Sequence, residues 1–164
     1  MKMKKYIWNC FLLLIPIFLW NILLVKYLPK GYSPEIFWEN IPPLVKYIEN
    51  ISRIIVFALP ALMLLSFETR VQRAGIRTYL VGLVFYFMSW GIVILYPESL
   101  WSTSQIGFMA PAFTTLIWFV GIGMVGQKSF IKIPYISTLY IILSILFVIV
   151  HSFHCYIVFQ RFVE

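Results

Sequence analysis

Apolar residues gather in five long stretches, approximately residues 7–28, 51–67, 79–97, 111–126 and 134–159, and the charged residues fall in the gaps between them. A hydrocarbon core about 30 Å thick needs roughly 20 predominantly apolar residues to cross it as a helix. The pattern therefore predicts an all-α membrane protein, a bundle of five transmembrane helices. The spans are placed at about 7–28, 44–67, 79–97, 111–126 and 134–160, in a single polytopic domain covering residues 1–164.

Turn and cap residues refine this outline. Pro16 stands in the middle of the first span and Pro60 is expected to bend the second near its centre. Pro111 and Pro134 read as first helical residues opening the fourth and fifth spans. Gly75 is the expected turn residue of a tight basic loop over 68–78. In the longest connection, Ser33-Pro34 looks like an N-cap followed by a first-turn proline, and Ile36, Phe37 and Trp38 follow. This predicts a short extracytoplasmic interfacial helix, interrupted by Ile41-Pro42-Pro43. From Leu44 a helix can run directly into the second span, with Lys46, Glu49, Asn50 and Arg53 on one face at spacings of three and four. Lys46–Glu49 and Glu49–Arg53 are then helix neighbours able to pair.

Composition excludes a soluble fold. Hydrophobic residues make up 62% of the chain and charged residues 12%, against roughly 45–50% and about 25% in ordinary soluble domains. The net charge of +7 falls on one side once the amino terminus is placed in the cytoplasm. Inside then lie Lys2, Lys4, Lys5, Arg70, Arg73, Arg77, Lys128 and Lys132 against Glu68 alone, while acids and bases balance outside. Lys and Arg are retained in the cytoplasm during insertion, so the carboxyl terminus is extracytoplasmic and the plasma membrane is the simplest location. The basic face suits anionic headgroups, with Arg70, Arg73 and Arg77 as the contacts. No aromatic-interleaved basic groove suggests nucleic acid. The first apolar run exceeds the usual 7–15 residues of a signal core and reads as an uncleaved anchor. Glycines at 121, 123 and 126 and the odd span count leave room for a homo-oligomer or a partner membrane subunit.

Candidate chemistry is sparse. There is no zincin, phosphate-cradling, dinucleotide or nucleophile-elbow motif. Asp is absent from the chain, and every Glu stands at or beyond a span end. The sharpest feature is a ridge on the fifth span, with Ser137, Ser144 and His151 in one row, Tyr140, Phe147 and His154 in the next, and Cys155 one turn beyond His151. Intramembrane ionisable groups are functional candidates. Yet only one helix supplies His, and a four-coordinate metal would need carboxylates or a second subunit, so neither metal nor cofactor is expected. Lys46, Glu49, Arg53, His151 and His154 are the candidate ligand-binding residues, forming with the 98–110 loop a polar mouth for a small anionic or zwitterionic molecule. Without a catalytic constellation, the expected function is non-enzymatic, either small-molecule binding or transport or an accessory subunit. The alternative is a small membrane enzyme or redox protein that uses His151 and His154.

Overall fold

In the computed structural model, which describes residues 7–163, the chain is built from helices and turns, with no strand among the described residues. A 3₁₀ turn over Cys10–Leu14 leads into α1 (Ile15–Leu24), which tightens again over Val25–Tyr27. Pro16 therefore sits in the first turn of α1 rather than mid-helix, where its missing N–H removes no hydrogen bond. A short α2 (Pro34–Phe37) follows Ser33, whose side chain makes no capping hydrogen bond. Next come α3 (Pro43–Ala58), α4 (Arg70–Leu95), α5 (Gln105–Phe113), α6 (Thr115–Val125) and α7 (Ile136–Val163).

Four segments are long and apolar enough to cross a membrane: Cys10–Tyr27, Arg70–Leu95, Gln105–Val125 and Ile136–Phe162. Within the second expected span, Pro60 ends the α-helix instead of bending it. The chain passes through a 3₁₀ turn over Leu59–Leu62 and then becomes extended. That extended backbone is satisfied by two neighbouring segments: Leu64 N donates to Lys128 O at 2.8 Å, Leu65 N to Trp8 O at 3.2 Å, and Cys10 N to Met63 O at 2.9 Å. Irregular backbone at membrane depth is tolerated where protein supplies its partners in this way.

Two expected boundaries move. Gly75 is not a turn residue; it lies inside α4, buried. The reason is a capping box, in which Gln72 N donates to Thr69 Oγ1 at 3.1 Å and Thr69 N to Gln72 Oε1 at 3.0 Å. Two orphan donors are satisfied at once, so the helix starts at Arg70 and carries Arg70, Arg73 and Arg77 on exposed positions of its first turns. Likewise Pro111 lies inside α5 rather than at its start, because Ser104, seven residues earlier in the chain, caps the helix by accepting from Gly107 N at 3.1 Å. The α5–α6 break follows at Thr114, whose hydroxyl donates back to Ala110 O at 2.7 Å.

Helices α4 and α6 approach through glycine. A Cβ on Gly82 would stand 2.4 Å from Trp118 N, and one on Gly121 would stand 2.4 Å from Tyr79 N. Neither site has space for any side chain, so the backbones meet directly, as small residues permit in membrane helix pairs. Gly123 and Gly126 are similarly filled by Ile141 and Met63. Around this pair, the core gathers Leu14, Ile17, Val56, Trp118, Phe119 and Tyr140. The ridge of α7 faces inward. Ser144, Tyr140 and His154 are fully buried, and Ser137 Oγ donates to Gly123 O at 2.6 Å. The remaining surface is apolar, with Leu80, Val84, Phe85 and Met88 on α4 and Ile142, Leu146 and Ile149 on α7 exposed.

Candidate functional site

Glu49 is fully buried on α3, and an unpaired carboxylate there would be costly by several kcal/mol. Both oxygens are met. Arg53, one turn along α3, and His151 Nδ1, at 3.0 Å, converge on Oε1, while His154 Nδ1 lies 2.5 Å from Oε2. The helix spacing brings Glu49 and Arg53 together, and the packing of α3 along α7 supplies the histidines.

The other nitrogen of His154 decides its protonation. Nε2 lies 2.8 Å from Phe37 O. A carbonyl only accepts, so Nε2 carries a hydrogen and donates. This also satisfies an orphan carbonyl at the end of α2. Nδ1 and Glu49 Oε2 would then be two bare acceptors at 2.5 Å, a repulsive arrangement unless a proton lies between them. The Glu49–His154 pair accordingly holds one shared proton.

Aromatic rings enclose these charges. Phe37 and Trp38 lie against His154 at centroid distances of 4.2 and 4.7 Å. Phe147 stacks on His151 at 5.4 Å with an interplanar angle of 7°. The Arg53 guanidinium lies 5.1 Å from the Trp38 ring centroid and 5.9 Å from that of Phe147, a cation–π arrangement. Lys46, expected in the cluster, stays exposed and makes no ion pair with Glu49; its ammonium lies 5.7 Å from the Trp38 centroid. The 98–110 segment joins a neighbouring layer, where Tyr32 stacks on Phe108 at 4.5 Å and donates to its carbonyl at 2.8 Å. Burial pushes the Tyr32 phenol up from its ordinary range.

Arg53 and His151 also face a cavity of about 580 Å³. Its wall is mainly apolar and aromatic, with Phe57 and Trp118 prominent, and it includes Tyr86, whose hydroxyl donates to Asn21 Oδ1 at 2.7 Å. Trp20 and Trp118 also belong to this lining, their indole N–H groups buried in the surrounding protein without a hydrogen-bond partner among the described residues. Such unmet donors cost about 1–3 kcal/mol each.

Glu49, His151 and His154 are the residues spaced to hold a metal ion among the described residues. The carboxylate missing from the sequence reading is thus present on a second helix. The Arg53 charge on the same oxygen and the proton already between Glu49 and His154 both oppose a divalent ion. Of the five candidate ligand residues, the structure brings together Glu49, Arg53, His151 and His154, leaves Lys46 at the rim, and adds Phe37 and Trp38. Those two read from sequence only as interfacial aromatics. Comparison with protein-family models, curated proteins and solved structures finds no match to this chain.

Truncating Glu49→Ala leaves the buried His154 without its carboxylate partner and is expected to destabilise the fold by about 1–3 kcal/mol. Glu49→Gln should cost less, because its amide can still donate to His154 Nδ1, and adding Arg53→Met should recover part of that loss. Denaturant unfolding in micelles measures the series; equal stability of Glu49→Ala and the parent would contradict this role.

Proposed function

We propose that this chain is a multi-pass membrane protein that binds a small amphiphilic molecule, either to hold it or to pass it on. The observation that carries this reading is the cavity of about 580 Å³, a size usual for small-molecule sites, with apolar walls and a few convergent polar groups. Arg53 and His151 supply a polar contact point, and aromatic rings supply the rest. An enzyme working through both histidines is less well supported, since His154 has both nitrogens engaged and no position for a reacting group.

Five crossings, with the amino terminus cytoplasmic and the carboxyl terminus outside, are part of the proposal. Four helices meet the requirements of length and hydropathy. The segment from Pro43 to Leu62 provides the fifth, its three charged residues Lys46, Glu49 and Arg53 confined to the first three turns. The exposed Arg70, Arg73 and Arg77 then contact anionic headgroups at the cytoplasmic plasma-membrane surface.

Reporter fusions at the two termini should fall on opposite sides of the membrane; both on one side would exclude five crossings. Ala112 is buried and lines the cavity, so Ala112→Phe should fill part of the space. Purified parent protein is expected to carry an amphiphile detectable by native mass spectrometry, and this variant to carry much less. Equal occupancy in both would place the molecule elsewhere.

A further inference from the structure

The charge count of the Glu49 cluster identifies the head group of the molecule, and the inference rests on the amphiphile reading above. Phe37 O fixes the hydrogen on His154 Nε2, and the 2.5 Å approach of His154 Nδ1 to Glu49 Oε2 requires one proton between them. Whether that proton sits on the imidazole or on the carboxyl, the Glu49–His154 pair is neutral as a unit. The guanidinium of Arg53 is always charged. The cluster therefore carries at least one net positive charge, and Lys46 beside Trp38 adds to the local potential. Among the described residues, Glu49 is the one carboxylate in an ion pair with any of these groups.

We propose that the cavity takes a single-chain anionic amphiphile, a long-chain carboxylate, with its head group between Arg53 and His151. The donor and acceptor pattern fits. Arg53 uses one edge on Glu49 while Trp38 and Phe147 hold the guanidinium plane, and its remaining N–H groups can donate to a carboxylate oxygen. His151 points Nδ1 at Glu49, and Nε2 has no partner among the described residues. The head group enters as carboxylate, its single negative charge offsetting the guanidinium beside His151. The chain lies against the apolar wall of Phe57 and Trp118. One net charge and a cavity of about 580 Å³ favour a singly charged, single-chain molecule over a two-chain phospholipid.

Cavity tryptophans make the test direct. The full chain in nanodiscs of zwitterionic lipid is titrated with a brominated long-chain carboxylate, the matching primary alcohol and a brominated-chain lysophospholipid, following fluorescence quenching. The carboxylate is expected to bind about ten- to hundredfold more tightly than the alcohol, as expected when charged donors would otherwise be left unmatched. Arg53→Met should bring carboxylate affinity down to that of the alcohol, while Arg53→Lys should keep a reduced preference. Equal affinity for carboxylate and alcohol in the parent would overturn the head-group assignment and leave the cavity reading intact. Tighter binding of the lysophospholipid would overturn the carboxylate in favour of a phosphate head. Quenching by none of the probes, or quenching unchanged by Ala112→Phe, would overturn the cavity reading itself. A stoichiometric metal in the purified protein would overturn the proton count.

Discussion

A carboxylate that has lost its water must find other partners, and Glu49 finds them on three separate segments. Arg53 comes from its own helix, His151 and His154 from α7, and Phe37, through His154, from the short helix before α3. Lipid would supply no replacement for any of these bonds. The register between α3 and α7 and the seating of α2 are therefore tied to one side chain. The aromatic shell follows from the same constraint, because Trp38, Phe37 and Phe147 exclude water while offering ring faces to the cations. What results is a charged cluster held rigidly at the edge of an apolar cavity.

The packing elsewhere makes that cavity possible. Helices α4 and α6 meet backbone to backbone at Gly82 and Gly121, which draws one side of the structure tight. On the other side, α1 leaves Leu19, Ile22 and Leu23 exposed, and the space between it and the tight pair is not filled by side chains. Trp20 and Trp118 belong to the lining of that space.

The apolar stretches overlap the four segments long and apolar enough to cross a membrane, because a bilayer imposes a length and a composition that a sequence displays directly. Helix ends were harder to see. A hydropathy window stops where polar residues begin, yet Thr69 and Gln72 carry α4 back to Arg70 by capping it, and Ser104 does the same for α5. Both signals are local polar patterns that lie outside the apolar runs they extend. Within the site, helical spacing revealed the Glu49–Arg53 pair and the two histidines, and their place at the outer ends of two spans suggested one shared mouth. That both histidines bond the Glu49 carboxylate directly, across 102 residues of sequence between Glu49 and His151, is a tertiary fact with no local trace. Lys46 misled because spacing alone cannot say which way a helix turns; burial of Glu49 leaves Lys46 at the rim.

The central claim is that a single proton is held between Glu49 and His154 and makes the cluster positive. Nitrogen-15 histidine spectra of the labelled protein in micelles report it most directly. The account predicts, for His154, a protonated Nε2 and a far-downfield proton shared at Nδ1, both assigned by comparison with His154→Gln, with the shared-proton signal lost in Glu49→Ala. A His154 whose Nδ1 shows a bare lone pair, or the shift of a metal-bound nitrogen, would contradict it.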